Sequence, residues 1–258
     1  MIKYANTKLG KTFHLKGNEE LIIYIPRTEI ASRENVHDML RQFGMVYVKP
    51  NLGTGGHGVM KAERIKGGSR DGYRYKLGLR TYAFSTFDAF YSSLSKNFGG
   101  RRYLVQQGIR MLTYKQRPFD IRIMVQKNSD RVWEHTGTIG RLAHPKRAVT
   151  NYHSGGTPLS IDKLLKPHAA DKRRGELAKK LGALGLQVAA HMQSGYPGVK
   201  ELGVDVGMDK ALKPWIFEVN TRPDPFIFKK LNRPEVYRRI LQLTKLNGRF
   251  RFKRKKLK

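Results

Sequence analysis

Apolar residues along the chain recur at two different spacings, and the change from one to the other marks out the elements. Val36, Leu40 and Phe43 follow helical spacing after Ser32, which can cap a helix, and Gly44 ends the run. Phe87, Phe90, Tyr91 and Leu94 share one face of a helix capped by Ser85 or Thr86. Leu177, Leu181, Leu184 and Val188 give the longest amphipathic helix, stopped near Gly195 and Pro197. Pro234 suits the first position of a closing helix that bears Val236, Tyr237, Ile240 and Leu241. Strands are expected at 20–25, ended by Pro26, and at 45–49, 59–62, 103–107, 119–126 and 131–142, with 73–84 as a strand or a pair. Residues 143–160 read as a polar loop too long to be a mere connector. Strands in hairpins with interspersed helices predict an α+β fold.

One hairpin carries more chemistry than the rest. Leu202 to Val206 and Trp215 to Asn220 are β-rich runs separated by a turn at Lys210 to Pro214. Glu218 and Asn220 are two apart and so share a face. A hairpin symmetric about the turn sets Asp205 opposite Glu218, with Val204, Val206, Phe217 and Val219 as the apolar face behind. Two carboxylates and an amide oxygen form the hard donor set that Mg²⁺ prefers when it also holds phosphates and water. A solvated face with incidental acids is the other reading. The scarcity of acids, 20 against 51 basic residues, favours the metal.

Composition narrows the field from another side. The chain of 258 residues, 39% hydrophobic, can bury a substantial core as one large domain or two lobes. No apolar run is long enough to span a bilayer, and the start of the chain lacks a signal-peptide core, so a cytoplasmic location is expected. The absence of cysteine excludes disulfides, thiolate metal sites and a cysteine nucleophile. A formal net charge of +31 favours polyanions: nucleic acid, an acidic polymer, anionic lipid or a multi-phosphate ligand. Seven of the positive charges fall in the last ten residues, a solvated tail or a docking arm.

A second segment, Lys49-Pro50-Asn51-Leu52-Gly53-Thr54-Gly55-Gly56-His57-Gly58, sets a strand-terminal lysine before four glycines. Such a loop lets backbone N–H groups surround phosphate oxygens. It has neither Walker A nor Rossmann spacing, and a glycine-rich hairpin taken alone is more often a flexible turn; an oxygen-ligand metal site further down the chain reverses that balance. Asp120 and Arg122 share a strand face, as a buried pair or as an arginine fork held ready for a carboxylate or phosphate. Arg141 and the Asn151-x-His153-x-Gly155-Gly156 stretch flank the long polar loop, where His153 reads as a hydrogen-bonding loop residue.

In this order these motifs, with Leu104 to Ile109 between them, resemble the ATP-grasp domain. The spacing is most similar to the YheC/YheD group of spore-forming bacteria, described as endospore coat-associated. The Asn-x-His-x-Gly-Gly and Glu-Val-Asn elements also resemble RimK-type glutamate ligases. The resemblance covers residues ~20 to ~246, and an ordered series is specific where its single members are not. It implies two α+β lobes clasping ATP: a short segment 1–30, a smaller lobe 31–108, a larger lobe 109–246 and a basic tail 247–258.

The resemblance also implies roles. Lys49 would contact ATP phosphates, with Gly53, Gly55, Gly56 and Gly58 in a lid over them. Gln106, Gln107 and Ile109 would form the hinge whose backbone reads adenine. Asp205, Glu218 and Asn220 would hold one or two Mg²⁺ ions, with Mn²⁺ as a substitute. Arg122, Arg141 and Asn151 would orient phosphates and an acyl group. The implied activity is an ATP-dependent ligase that converts an anionic carboxylate into an acyl phosphate for capture by an amine. A nucleotide-binding structural protein of the spore coat is the alternative, with an acidic polymer or coat component as partner. A nucleic-acid-binding module, suggested by charge alone, lacks a recognisable motif. Two departures bear on ligation more than on ATP binding: few residues precede Lys49, and Gln107 stands where an acid is common.

Overall fold

Two antiparallel six-stranded sheets carry the fold, joined by helices in an α+β arrangement. The computed structural model describes residues 5–67, 72–144 and 155–249. Asn151, His153 and the basic tail beyond residue 249 lie outside the described residues. The first half comprises α1 (Lys8–Lys16), α2 (Glu19–Ile22), β1 (Thr28–Ile30), α3 (Arg33–Phe43), β2 (Met45–Pro50), β3 (Met60–Ile65), β4 (Gly72–Leu77), β5 (Arg80–Phe84), α4 (Phe87–Lys96) and β6 (Tyr103–Gln107). Next come β7 (Thr113–Tyr114), β8 (Arg117–Lys127), β9 (Trp133–Leu142), β10 (Thr157–Leu159), α5 (Ile161–Leu165), α6 (Asp171–Gly195), β11 (Glu201–Met208) and β12 (Pro214–Asn220). A 3-10 helix, Phe226–Lys230, and α7 (Pro234–Leu246) complete the described elements.

The first sheet runs β1-β6-β2-β3-β4-β5. Helices α3 and α4 cover one face: Val36, Met39, Leu40, Phe90 and Leu94 pack on Val46, Val48, Met60, Ala62 and Val105. Burying such aliphatic and aromatic side chains contributes about 1.5–3 kcal/mol each. Ser32 and Thr86 cap these helices through Asn35 N and Ala89 N, and Gly44 closes α3 at φ 71°. The uncovered face bears Lys49.

The second sheet runs β10-β9-β8-β11-β12, with β7 paired to β8 off this path. Helix α6 covers one face through Leu177, Leu181, Leu184, Val188 and Met192, against Ile121, Ile123, Val125, Leu202, Val204 and Val206. The other face is shared. The 3-10 helix and α7 cover its Met124 and Ile139 end, and the remainder faces the first sheet's free side. Among the described residues no helix is long and apolar enough to cross a membrane.

Three expectations need correction. Residues 20–25 do not form a strand: Asn18 accepts from Glu20 N and Leu21 N and starts α2. The run Leu21 to Ile25 never alternates, and its two buried members, Leu21 and Ile25, are a helical turn apart. The strand comes after Pro26, as β1 paired with β6. The stretch 143–160 is not loop throughout, since Thr157–Leu159 pairs with β9. Phe217 does not belong to the apolar face behind the carboxylates, for a reason given below.

Helix α1 begins the described part of the chain and reaches both sheets. Leu15, Leu21 and Ile25 join the core under the second sheet. His14 stacks on His191 of α6 with centroids 4.4 Å apart, and each imidazole Nε2 hydrogen-bonds the other residue's carbonyl, at 3.0 and 2.9 Å. Burial holds His14 below its ordinary value of 6.5, helped by the neighbouring His191 and only partly offset by its hydrogen bond. Ser194 and Tyr196 face the same ring. The folded state therefore binds fewer protons than the unfolded chain just below pH 6.5. Stability should fall as pH drops through that value, by at most about 1.4 kcal/mol per pH unit from this group. Urea titrations at pH 7.5 and 5.5 check this, and His14→Gln should flatten that slope.

Candidate functional site

The free faces of the two sheets enclose a cavity of about 610 Å³. From the first sheet come Tyr47, Lys49, Gln106 and the glycine loop; from the second come Asp120, Arg122, Arg141, Asp205, Phe217, Glu218 and Asn220. Residues more than 150 positions apart thus meet because each lies on the uncovered side of its own sheet.

The loop between β2 and β3 has the backbone that its glycines allow. Gly53, Gly55, Gly56 and Gly58 take φ of 124°, 74°, 77° and 73°, a region that side chains disfavour. Gly53, Gly55 and Gly56 line the cavity. Gly58 lies outside its lining, where an added Cβ would come 2.7 Å from the Tyr103 hydroxyl.

Lys49 leaves the end of β2 and is 8% exposed. Its ammonium donates to Gln106 Oε1 at 2.8 Å and to the Phe217 carbonyl at 3.1 Å, spanning the two sheets. Gln106 donates in turn to Thr28 Oγ1 at 2.9 Å. Burial lowers the Lys49 pKa from 10.5 to about 8, against the pull of Glu218. Two neutral acceptors hold a charge that, among the described residues, has no carboxylate in salt-bridge contact, so the site favours an incoming anion. Gln107 and Ile109 lie outside the lining. The Gln107 N–H donates to Arg27 O at 2.8 Å, and that of Gly108 to Met45 O at 3.0 Å.

On the second sheet, charged residues sit directly opposite one another across strands, two pairs of opposite sign and one of two carboxylates. Arg141 faces Asp120 between β9 and β8, Arg122 faces Asp205 between β8 and β11, and Asp205 faces Glu218 between β11 and β12. Arg141 Nε and Nη2 reach Asp120 at 2.8 and 2.6 Å, and Nη2 also reaches Asp205 Oδ2 at 3.1 Å. Arg122 grips Asp205 through Nε and, at 3.0 Å, through Nη2. Asp120 and Arg122 therefore do not pair with each other; each takes its partner from the neighbouring strand. Burial alone would raise the Asp205 carboxyl, but the two guanidiniums outweigh it and hold it below the usual range. Burial likewise opposes the Arg141 charge, and Asp120 with Asp205 more than restores it.

The hairpin places Asp205 opposite Glu218, as the symmetric turn requires, but the ladder slips by one residue beside them. Val206 pairs with Ile216, which leaves Phe217 as an extra residue on β12. Such a bulge turns two consecutive side chains to one side. Ile216 enters the core while Phe217 and Glu218 both line the cavity. The Phe217 ring lies over Gly207, where a Cβ would meet it at 2.2 Å. Sequence alternation alone cannot show this extra residue.

The donors suit a hard cation in type and place: Asp205, Glu218 and Asn220 line one wall, and Asn220 Nδ2 donates to Asp205 Oδ2 at 3.4 Å. Asp205 already shares its oxygens with two arginines, so Glu218 and Asn220 would carry most of the protein's ligation. The sequence reading missed Lys8, His57 and Arg222, which also line the cavity. Lys8 sits 3.5 Å from Glu218 Oε1.

Known proteins place this arrangement. Residues 3–245 match the family model described as YheC/D like ATP-grasp. Two Bacillus subtilis (strain 168) relatives are named endospore coat-associated proteins. YheD is 27% identical over 243 residues, 89% of this chain and 52% of YheD; YheC is 26% identical over 201 residues, 78% of this chain and 55% of YheC. The chain spans about half the length of these relatives. A solved structure, N5-carboxyaminoimidazole synthase from Aspergillus clavatus with ADP and 5-aminoimidazole ribonucleotide, superposes with a TM-score of 0.50 at 10% identity. It covers 92% of this chain and 50% of that one. Two sheets with a cavity between their free faces, and a model match over nearly the whole chain, lead to one assignment: the chain belongs to the YheC/D-like ATP-grasp family.

Proposed function

We propose that this chain is an ATP- and Mg²⁺-dependent ligase that activates a carboxylate as an acyl phosphate for capture by an amine. The observation carrying this is the meeting in one cavity of a buried lysine with a lowered pKa, a positive-φ glycine loop and a wall of oxygen donors. Lys49 and the loop at Gly53, Gly55 and Gly56 hold the polyphosphate, and of the hinge it is Gln106 that lines the cavity toward the base, with Gly58, Gln107 and Ile109 outside that lining. Asp205, Glu218 and Asn220 would hold the divalent ion, which would supply charge neutralisation to the polyphosphate. Arg122 and Arg141, each held in place by buried carboxylates, orient the transferred group; the same role is assigned to Asn151, which lies outside the described residues. A substrate carboxylate oxygen bonds to the γ-phosphorus as the bond to ADP breaks. The amine then bonds to the acyl carbon, releasing phosphate and losing a proton. The acyl phosphate needs shelter from water, which the loop over the cavity provides.

The lobes are drawn at 31–108 and 109–246, with the spore as the location and an acidic coat component as a further partner. The half-length match to coat-associated relatives favours a second reading, a nucleotide-binding coat protein without turnover. An ADP-release screen with Mg²⁺ over amino acids and acidic peptides separates them. Release dependent on one carboxylate supports ligation; normal ATP binding with no release from any mixture supports the second reading.

Glu218→Ala tests the metal assignment directly. Because Mg²⁺ keeps waters and leans on phosphates, it should bind weakly without nucleotide. The variant should therefore keep a small ATP-induced thermal shift and lose the increment that Mg²⁺ adds. An undiminished Mg²⁺ increment at matched concentrations would remove Glu218 from the ligand set.

A further inference from the structure

Helix α1 delivers a lysine to the junction of the two walls. Thr7 caps the helix through Gly10 N at 3.0 Å. The first N–H groups of the helix go elsewhere: Lys8 N donates to Asn51 O at 3.1 Å and Leu9 N to Asn51 Oδ1 at 2.9 Å. Asn51 stands two residues after Lys49, at the root of the glycine loop. The start of α1 is thus fastened to the loop, while His14 and Leu15 root its other end in the second sheet's side of the molecule. The Lys8 ammonium then donates to Gly53 O at 2.6 Å and stands 3.5 Å from Glu218 Oε1, its side chain only 10% exposed.

Those two contacts belong to opposite walls of the cavity. The carbonyl is on the loop that would cover the phosphates; the carboxylate is in the set that would hold the ion. A divalent ion entering the site competes with Lys8 for Glu218, and a polyphosphate competes with Glu218 for Lys8. Both exchanges run in the same direction. Glu218 passes to the ion, and the freed ammonium gains a phosphate oxygen as its new anion while still within reach of the loop.

We propose that Lys8 is a second phosphate-holding lysine and a latch: it binds Glu218 and Gly53 O in the empty site and transfers to the polyphosphate when a divalent ion takes Glu218. This rests on the nucleotide-binding reading above. Removing Lys8 has opposite consequences for the two ligands, which a general loss of support for the site would not produce. Glu218, no longer paired, becomes a better ligand for the ion alone. ATP without metal loses a cation and meets an unneutralised carboxylate.

The experiment compares the wild-type chain with Lys8→Met and Lys8→Arg. Mn²⁺ binding without nucleotide is read from the electron paramagnetic resonance of free Mn²⁺, and ATP binding in EDTA by calorimetry. For Lys8→Met we expect Mn²⁺ affinity to rise about threefold or more and metal-free ATP affinity to fall about tenfold, the order of one charged hydrogen bond. Lys8→Arg should stay close to wild type in both. If Lys8→Met does not fold, Lys8→Gln keeps a donor for Gly53 without the charge and is read the same way. Two affinities that both stand still, or that fall together, overturn the latch. Wild-type protein that binds no ATP even with Mg²⁺ overturns the nucleotide reading itself, whereas wild-type binding with an unmoved Lys8 variant overturns the latch alone.

Discussion

Lys49→Met is expected to weaken ATP binding by about ten- to a hundredfold, since hydrogen bonds from a charged donor contribute about 1.5–3 kcal/mol. The fold should tolerate the change, because the ammonium rests on two neutral acceptors and its burial is itself unfavourable. The pH dependence is the sharper signature. With a pKa of about 8, Lys49 is charged at neutral pH and loses its proton as pH rises through that value. Wild-type affinity for ATP should then decline above pH 8, by at most about tenfold per unit, and the methionine variant should lack that component. Linkage gives a second check of sign. Between about 8 and the ordinary 10.5 the folded chain binds fewer protons here than the unfolded one, so this residue's cost to stability is relieved as pH rises. Calorimetric titrations from pH 7 to 9.5 measure the first effect, and urea midpoints over the same range the second. A pH-independent affinity would place the phosphates away from Lys49.

Arg141→Met should be the most destabilising change at the site. Arg141, Asp120, Arg122 and Asp205 are all buried, and their formal charges cancel. Removing one guanidinium takes two close hydrogen bonds from Asp120 and one ion pair from Asp205. Breaking a buried pair on one side costs about 3–5 kcal/mol, well above the pair's net worth, because a charge is left in a poor solvent. For a chain of this size that corresponds to a melting point lower by about 10 °C. Neutralising the abandoned partner should recover much of the loss: Asp120→Asn with Arg141→Met is expected to be more stable than Arg141→Met alone. Urea denaturation of wild type, both single variants and the double variant gives the coupling. A double variant as damaged as the sum of the singles would mean that the two charges are not energetically linked.

The α+β class and four of the helices were legible because their signals are local. Ser32 and Thr86 cap, Gly44 and Pro234 terminate or begin, and the apolar spacing between them is regular. The pairing of Asp205 with Glu218 was legible too, since a symmetric turn fixes which residues face each other. What failed depends on distant partners. Asp120 and Arg122 stand two apart on one strand and invite pairing, yet their partners come from β9 and β11, which the order of strands in the sheet decides. Residues 21–25 are apolar without a period, so a strand and a short helix could not be told apart until Asn18 was seen capping. Lys8 carries no motif. Its position in the cavity follows from Asn51 and from the stacked His14 and His191.

The extra residue on β12 separates two jobs within one strand. Deleting Phe217 on paper leaves a regular hairpin: Val206 still opposite Ile216, Asp205 still opposite Glu218, and strict alternation of core and cavity from Ile216 to Asn220. The acidic face therefore does not need the bulge. What the bulge adds is a carbonyl for Lys49 and a ring over Gly207, both supplied by Phe217 itself. One residue of added length therefore joins this strand to the opposite sheet's lysine without disturbing a single cross-strand pair, so the acidic face and its link to Lys49 rest on different residues of one strand.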